Sequence, residues 1–193
     1  MSRHLMLLGV ALALTLAATA QAQFELFPNT KELGGAAIQY KDDAVHLVAA
    51  YYYSQRNHDS PWLLIEAAVS TEERMTIHRD SIRLIAPDGV EVALATQRRF
   101  ALDSRRTRLL VQQAATTRHG IRSYFNRRDR SENFRFFRLP SGPVVSDDFV
   151  VDDLRVALGD LFFESLTGAW EDGTYTLVIE HEGARAAVPI ELE

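Results

Sequence analysis

The sequence contains no cysteine in 193 residues. That excludes disulfides, thiolate nucleophiles and thiolate metal sites, and it leaves no residue for a lipidated-cysteine anchor. Lysine is almost missing as well: two Lys stand against nineteen Arg. Six prolines and ten glycines are too few and too scattered to make a linker, and no repeat or low-complexity tract divides the chain. There is no Asn-x-Ser/Thr sequon. The nucleophile elbow, the zincin helix, the phosphate loop and the dinucleotide fingerprint are all missing.

One long apolar run exists, and it stands at the start. Leu5 to Ala18 is broken only by Thr15, follows the basic Arg3 and His4, and precedes Ala20-Gln21-Ala22. A short positive region, an apolar run and a small-x-small site are the parts of an export signal. The run is shorter than the roughly 18 residues that cross a bilayer. The sequence therefore predicts a signal peptide over 1–22, with cleavage before Gln23 (before Gln21 as second choice). The expected home is the periplasm or the medium, and no transmembrane segment is expected in the mature chain. Residues 23–193 are expected to form a single domain, a length that can bury a core without disulfides or metals.

Charge is unevenly spread. Residues 98–138 carry twelve Arg against three acids, and residues 139–193 carry two Arg against twelve acids. The basic stretch ends in RSYFNRRDRSENFRFFR, Arg122 to Arg138, where six arginines interleave with five aromatic rings. That composition suits single-stranded nucleic acid, with charge for phosphates and rings for bases. An exported protein does not meet nucleic acid, so none is expected as a partner. Two alternatives remain: the basic middle lies against the acidic end of its own chain, or it meets an anionic polymer of the envelope.

Most of the chain reads as strand. Ala44–Gln55, Trp62–Val69, Phe134–Arg138 and Leu161–Ser165 are β-prone, and Phe134 and Phe136 should share a face. Two hairpins can be argued in register. Around Pro87-Asp88-Gly89, a three-residue loop opposes Ala86 to Val90, Leu84 to Val92 and Ile82 to Leu94, six apolar residues on one face. At the end of the chain, a two-residue Glu182-Gly183 loop opposes Ile179 to Ala186, Leu177 to Val188 and Tyr175 to Ile190. The same register sets Glu180 opposite Arg185 as a cross-strand ion pair. It also sets Pro189 opposite Thr176, so the missing N–H points outward and the last strand should be an edge.

Glu171-Asp172-Gly173-Thr174-Tyr175-Thr176-Leu177 resembles the D-x-G-x-Y-x-C signature of immunoglobulin-like domains. The resemblance implies that Tyr175 is the corner tyrosine, that Leu177 stands where the second cysteine usually sits, and that the closing hairpin forms strands F and G. It covers about twenty-four residues and departs from the pattern in lacking cysteine and in placing Trp170 just before the motif. The fold expected is mainly β, an Ig-like antiparallel sandwich. Leu102–Ala115, with Asp103 or Ser104 as N-cap, predicts a helix inside an Arg-rich insertion at about 98–130.

Candidate chemistry is sparse. His46, His58, His78, His119 and His181 show no ligand spacing. Asp147, Asp148, Asp152 and Asp153 are dense enough to hold calcium but miss the spacing of its loop. His58-Asp59-Ser60 is adjacency without the convergence a triad needs. No catalytic residue, metal site or cofactor is therefore expected. The Tyr51-Tyr52-Tyr53 run, read as strand, puts Tyr52 on the face opposite its neighbours, where it could serve a binding platform. Arg127, Arg128 and Arg130, with Tyr124 and Tyr52, are the candidate binding residues. The function expected is a non-enzymatic exported binding or accessory protein, with an envelope protein or anionic polymer as partner. The alternative is a hydrolase or carbohydrate-active accessory protein with its site in the insertion. A cleft gathering His119, Tyr124 and two or more acids would favour the alternative.

Overall fold

The computed structural model describes residues 27–193 except His119, Arg127, Arg128, Ser141 and Pro143. The expected signal peptide and its cleavage site lie outside the described residues, as do Arg127, Arg128 and His119. Within the described residues no helix is long and apolar enough to cross a membrane.

The chain is mainly β. It runs through β1 (Thr30–Glu32), β2 (Ala37–Lys41), β3 (Val45–Ala50), the single helical turn α1 (Tyr52–Gln55), β4 (Trp62–Thr71), β5 (Met75–His78), β6 (Ile82–Ile85) and β7 (Glu91–Ala93). Helices α2 (Gln97–Leu102) and α3 (Ser104–Ala114) and a 3-10 turn at Ile121–Tyr124 follow. The rest is β8 (Arg130–Asn133), β9 (Asp148–Val151), β10 (Arg155–Glu164), β11 (Gly173–His181) and β12 (Ala184–Leu192). One sheet has the order β1-β2-β3-β4-β10-β8, a second β12-β11-β6-β7, and β5 pairs with β9 alone. All pairings are antiparallel except β8 with β10.

The two large sheets face each other across one apolar core. Leu47, Leu63, Ile65 and Val69 enter it from the first sheet; Leu84, Leu177, Val188 and Ile190 enter from the second. Strand β4 is buried on both sides, which explains its unbroken apolar run WLLIEAAV. Its other face is covered by the insertion: Trp62 and Leu64 meet Phe100, Leu110 and Ala114, and Ala68 meets Ile121 and Phe125. The insertion is therefore a lid over half of the first sheet, and the candidate site forms where that lid ends.

The closing hairpin has the expected register throughout, from Tyr175↔Ile190 to Glu180↔Arg185. Strand β12 is an edge of its sheet, as Pro189 requires. In the first hairpin Leu84 opposes Val92, and the Ala86 N–H donates to the Val90 carbonyl at 2.8 Å, closing the three-residue loop. Five expectations need correction. Val90 is 46% exposed, because it lies at the loop where the facing sheet no longer covers it. Glu180 pairs with Arg83 on β6 at 2.6 Å rather than with Arg185, since β6 supplies a nearer cation. Strand β3 stops at Ala50, and the tyrosines enter α1 instead. There the Ser54 hydroxyl donates to the Leu64 carbonyl and accepts from the Leu64 N–H, both at 2.8 Å. One serine thus takes the place of a β3 residue beside Leu64, whose other side pairs with Phe162 of β10. The predicted helix is α3, with Asp103 at its N-cap position, but the Asp103 side chain does not cap it and accepts instead from Trp62 Nε1 at 2.9 Å. The separate helix α2, not expected from the sequence, precedes it and is capped by Thr96 accepting from the Arg99 N–H. Finally, Phe134–Arg138 is not a strand, although Phe134 and Phe136 do enter one core, with ring centroids 5.3 Å apart.

Candidate functional site

A cleft of about 500 Å³ opens between the helical lid and the segment Asn133–Gly142. That size is within the range of small-molecule sites. The sheet supplies its first wall. On β10, alternate residues Leu158, Asp160 and Phe162 point toward the lid, while Gly159 points the other way and lies under the Phe134 ring. A Cβ on Gly159 would come within 2.3 Å of that ring, so a side chain there would displace the segment that forms the second wall.

Asp160 stands directly opposite Glu66 of β4 in the sheet register. Two carboxylates facing across a strand pair repel each other, and Arg118 sits over both. Its guanidinium grips Asp160 through both nitrogens, with Nη2 donating to Oδ2 at 2.6 Å, and lies 3.5 Å from Glu66 Oε2. The hydrogen bonds to Asp160 raise the Arg118 pKa against the opposing effect of burial. Both Asp160 oxygens accept from Arg118, a permanently charged donor, so this carboxylate is engaged by its own chain.

The floor is apolar. Phe100, Phe137 and Phe162 form a ring cluster with centroids 4.8–5.1 Å apart, and the half-buried Val111, Leu139 and Leu158 extend it. Arg79 fixes the second wall from behind. It donates to the carbonyls of Ala95 and Phe136, each at 2.6 Å, and to Asp147 Oδ1 at 2.8 Å, with its guanidinium 4.9 Å and 5.0 Å from the Phe136 and Phe137 ring centroids. The Gln97 amide completes the frame by bonding both the N–H and the carbonyl of Arg138.

Arg122, Arg135 and Arg138 stand at the rim. Arg122 is tethered to Ser131 Oγ and to the Asp129 carbonyl. Arg135 and Arg138 are exposed, and among the described residues their guanidinium groups meet no carboxylate. The arginine-aromatic stretch singled out in the sequence is thus one side of this cleft.

The other sequence candidates lie elsewhere. Tyr52 packs over Gly35, and its hydroxyl donates to the Gly34 carbonyl at 3.1 Å. Arg130 is exposed on β8 at the sheet edge. Tyr124 lines a second, more polar cleft of about 310 Å³ together with Asp42, His46, Asp129 and Asp153. There the His46 ring stacks on Phe125 at 4.1 Å, and burial, with help from Lys41, lowers its pKa to about 4. Gln39 Nε2 donates to His46 Nε2 at 2.9 Å, which fits a neutral ring. The acids of 147–153 disperse: Asp147 to Arg79, Asp148 to Ser146, Asp152 to Arg155 and Asp153 to the second cleft. His58 pairs with Asp172 at 2.8 Å, and its other nitrogen faces the Gln55 carbonyl, not a hydroxyl.

Sequence reasoning missed Glu66, Asp160, Arg118 and Arg79. A charged residue in the middle of an apolar run, as Glu66 is in WLLIEAAV, was the one visible signal. Comparison with protein-family models, curated proteins and solved structures returns no match.

Proposed function

We propose that this chain is an exported binding or accessory protein of the bacterial envelope, built on an Ig-like sandwich, and that it acts by binding rather than by hydrolysis. The observation that carries the reading is the state of the polar groups in the main cleft. Its acid pair is occupied by Arg118, whereas Arg135 and Arg138 have no carboxylate partner among the described residues and stand beside half-buried apolar side chains. A hydrolytic pair works with its carboxyls turned to the substrate, whereas Asp160 is turned to Arg118. The Ig-like element of the reading is supported by the Tyr175 hydroxyl, which donates to the Glu171 carbonyl at 3.1 Å in the manner of a tyrosine corner.

The hydrolase alternative keeps one point in its favour, since the cleft does gather two acids. Tyr124 is not among its lining residues. Two measurements decide. The protein recovered from the periplasm or medium should have the intact mass of a chain beginning at Gln23; a species retaining Met1 in the membrane fraction would overturn export. Incubation with chromogenic esters and glycosides should give no turnover. Turnover that disappears in Asp160→Asn would replace the binding reading by the hydrolytic one.

A further inference from the structure

We infer that the cleft between the helical lid and Asn133–Gly142 is a site for a single-chain anionic amphiphile. Its carboxylate sits on Arg135 and Arg138, and its hydrocarbon chain lies on Val111, Phe137, Leu139 and Leu158. The inference deepens the binding reading above and rests on it. Three observations converge. Arg135 and Arg138, which have no carboxylate partner among the described residues, both line this cleft. The surface beneath them is apolar and only half-buried, in a cavity of about 500 Å³. The polar wall carries the carboxylates of Glu66 and Asp160 with Arg118 already engaged between them, so that guanidinium does not draw an anion deep into the cleft.

Those charges give the ligand a direction. The head is attracted at the rim and finds Arg118 already engaged by its acids deeper in, so the anionic group stays outside and the apolar part goes under. A polyanion lacks the second part: it would use the arginines and leave the floor wet. Arginine is suited to the head because its planar fork matches a carboxylate with two parallel hydrogen bonds. The frame is rigid on both sides, held by the Arg79 staple and the Gln97 bridge to Arg138, so binding needs little ordering of the protein.

Calorimetric titration with decanoate, butyrate and decanol tests head and tail separately on the full mature chain. Decanoate should bind well below its micellar concentration. Butyrate, which has the head alone, and decanol, which has the tail alone, should bind at least about tenfold more weakly. The double variant Arg135→Gln, Arg138→Gln should lose about tenfold or more for decanoate, keep its weak decanol affinity, and unfold at the wild-type temperature, because both side chains are exposed. Val111→Trp, which fills the floor from the helix side, should abolish binding; if it does not fold, the double variant still decides. Decanoate affinity unchanged in the double variant, equal affinity for decanol, or equal affinity for butyrate would each overturn the inference. So would no binding of decanoate at all. In that case the wider reading still stands or falls by cell fractionation and the turnover assay.

Discussion

At the residue scale, His46 carries the largest consequence for pH. Its folded-state pKa of about 4 is below the ordinary value near 6.5, first because burial penalises the imidazolium and then because Lys41 is near. A depressed histidine binds fewer protons folded than unfolded. Stability is therefore full above pH 6.5, falls as pH drops from 6.5 toward 4, and levels below that. The loss is roughly 1–3 kcal/mol after allowance for the water that still reaches the ring. His46→Gln should flatten this segment of the thermal-midpoint curve between pH 6.5 and 4; an unchanged slope would remove His46 as the cause. Glu182 offers a gain instead. It holds a φ of 46° next to Gly183 at 88°, the left-handed pair of a two-residue hairpin loop in which asparagine is the favoured first residue. Glu182→Asn should stabilise by about 0.5 kcal/mol in urea titration, because the strained backbone suits Asn better.

At the scale of elements, the closing hairpin was legible because its information is local. Turn residues, alternation and Pro189 all agreed on one register, and β11–β12 has it. Leu177→Asp should therefore cost several kcal/mol by placing an unpaired charge between the sheets, while Thr176→Asp, on the other face, should cost much less; equal shifts in thermal midpoint would contradict the observed register. The elements that were misread depend on distant partners. Nothing near the tyrosines announces that Ser54 will satisfy Leu64 on another strand. Likewise nothing in FRFFR says that Arg79 and Gln97 will bind its carbonyls in place of a strand neighbour. The candidate site had the same fate. Its arginine-aromatic wall was visible as composition, but Glu66, Asp160 and Arg118 meet only through the pairing of β4 with β10 and the placement of the lid, and no short-range pattern encodes that.

Across the whole molecule, the basic middle and the acidic end meet at a few ion pairs among the described residues. Arg99 pairs with Glu164 and Arg118 with Asp160, and Arg155 of the acidic third reaches back to Glu132 at 3.6 Å. The lid is thus tied to β10 by ion pairs whose depth differs, and depth decides their worth. Arg99 is well exposed, so water and salt screen its attraction to Glu164. Arg118 is more deeply set over Glu66, whose side chain is only 12% exposed. Removing Arg118 takes away the guanidinium set between two facing carboxylates, which is the costly way to break a buried pair. Arg118→Gln should therefore destabilise by about 1–3 kcal/mol, a range lowered for its partial exposure, whereas Arg99→Gln should change stability little. The salt response separates the two further. Urea unfolding at low and at high ionic strength should show the small Arg99→Gln effect vanishing with salt, while most of the Arg118→Gln loss persists, because the Glu66–Asp160 repulsion lies under the lid where mobile ions penetrate poorly. Equal losses for the two variants, or an Arg118→Gln loss that salt erases, would mean that the acid pair is solvated and that the lid is held by its apolar contacts alone.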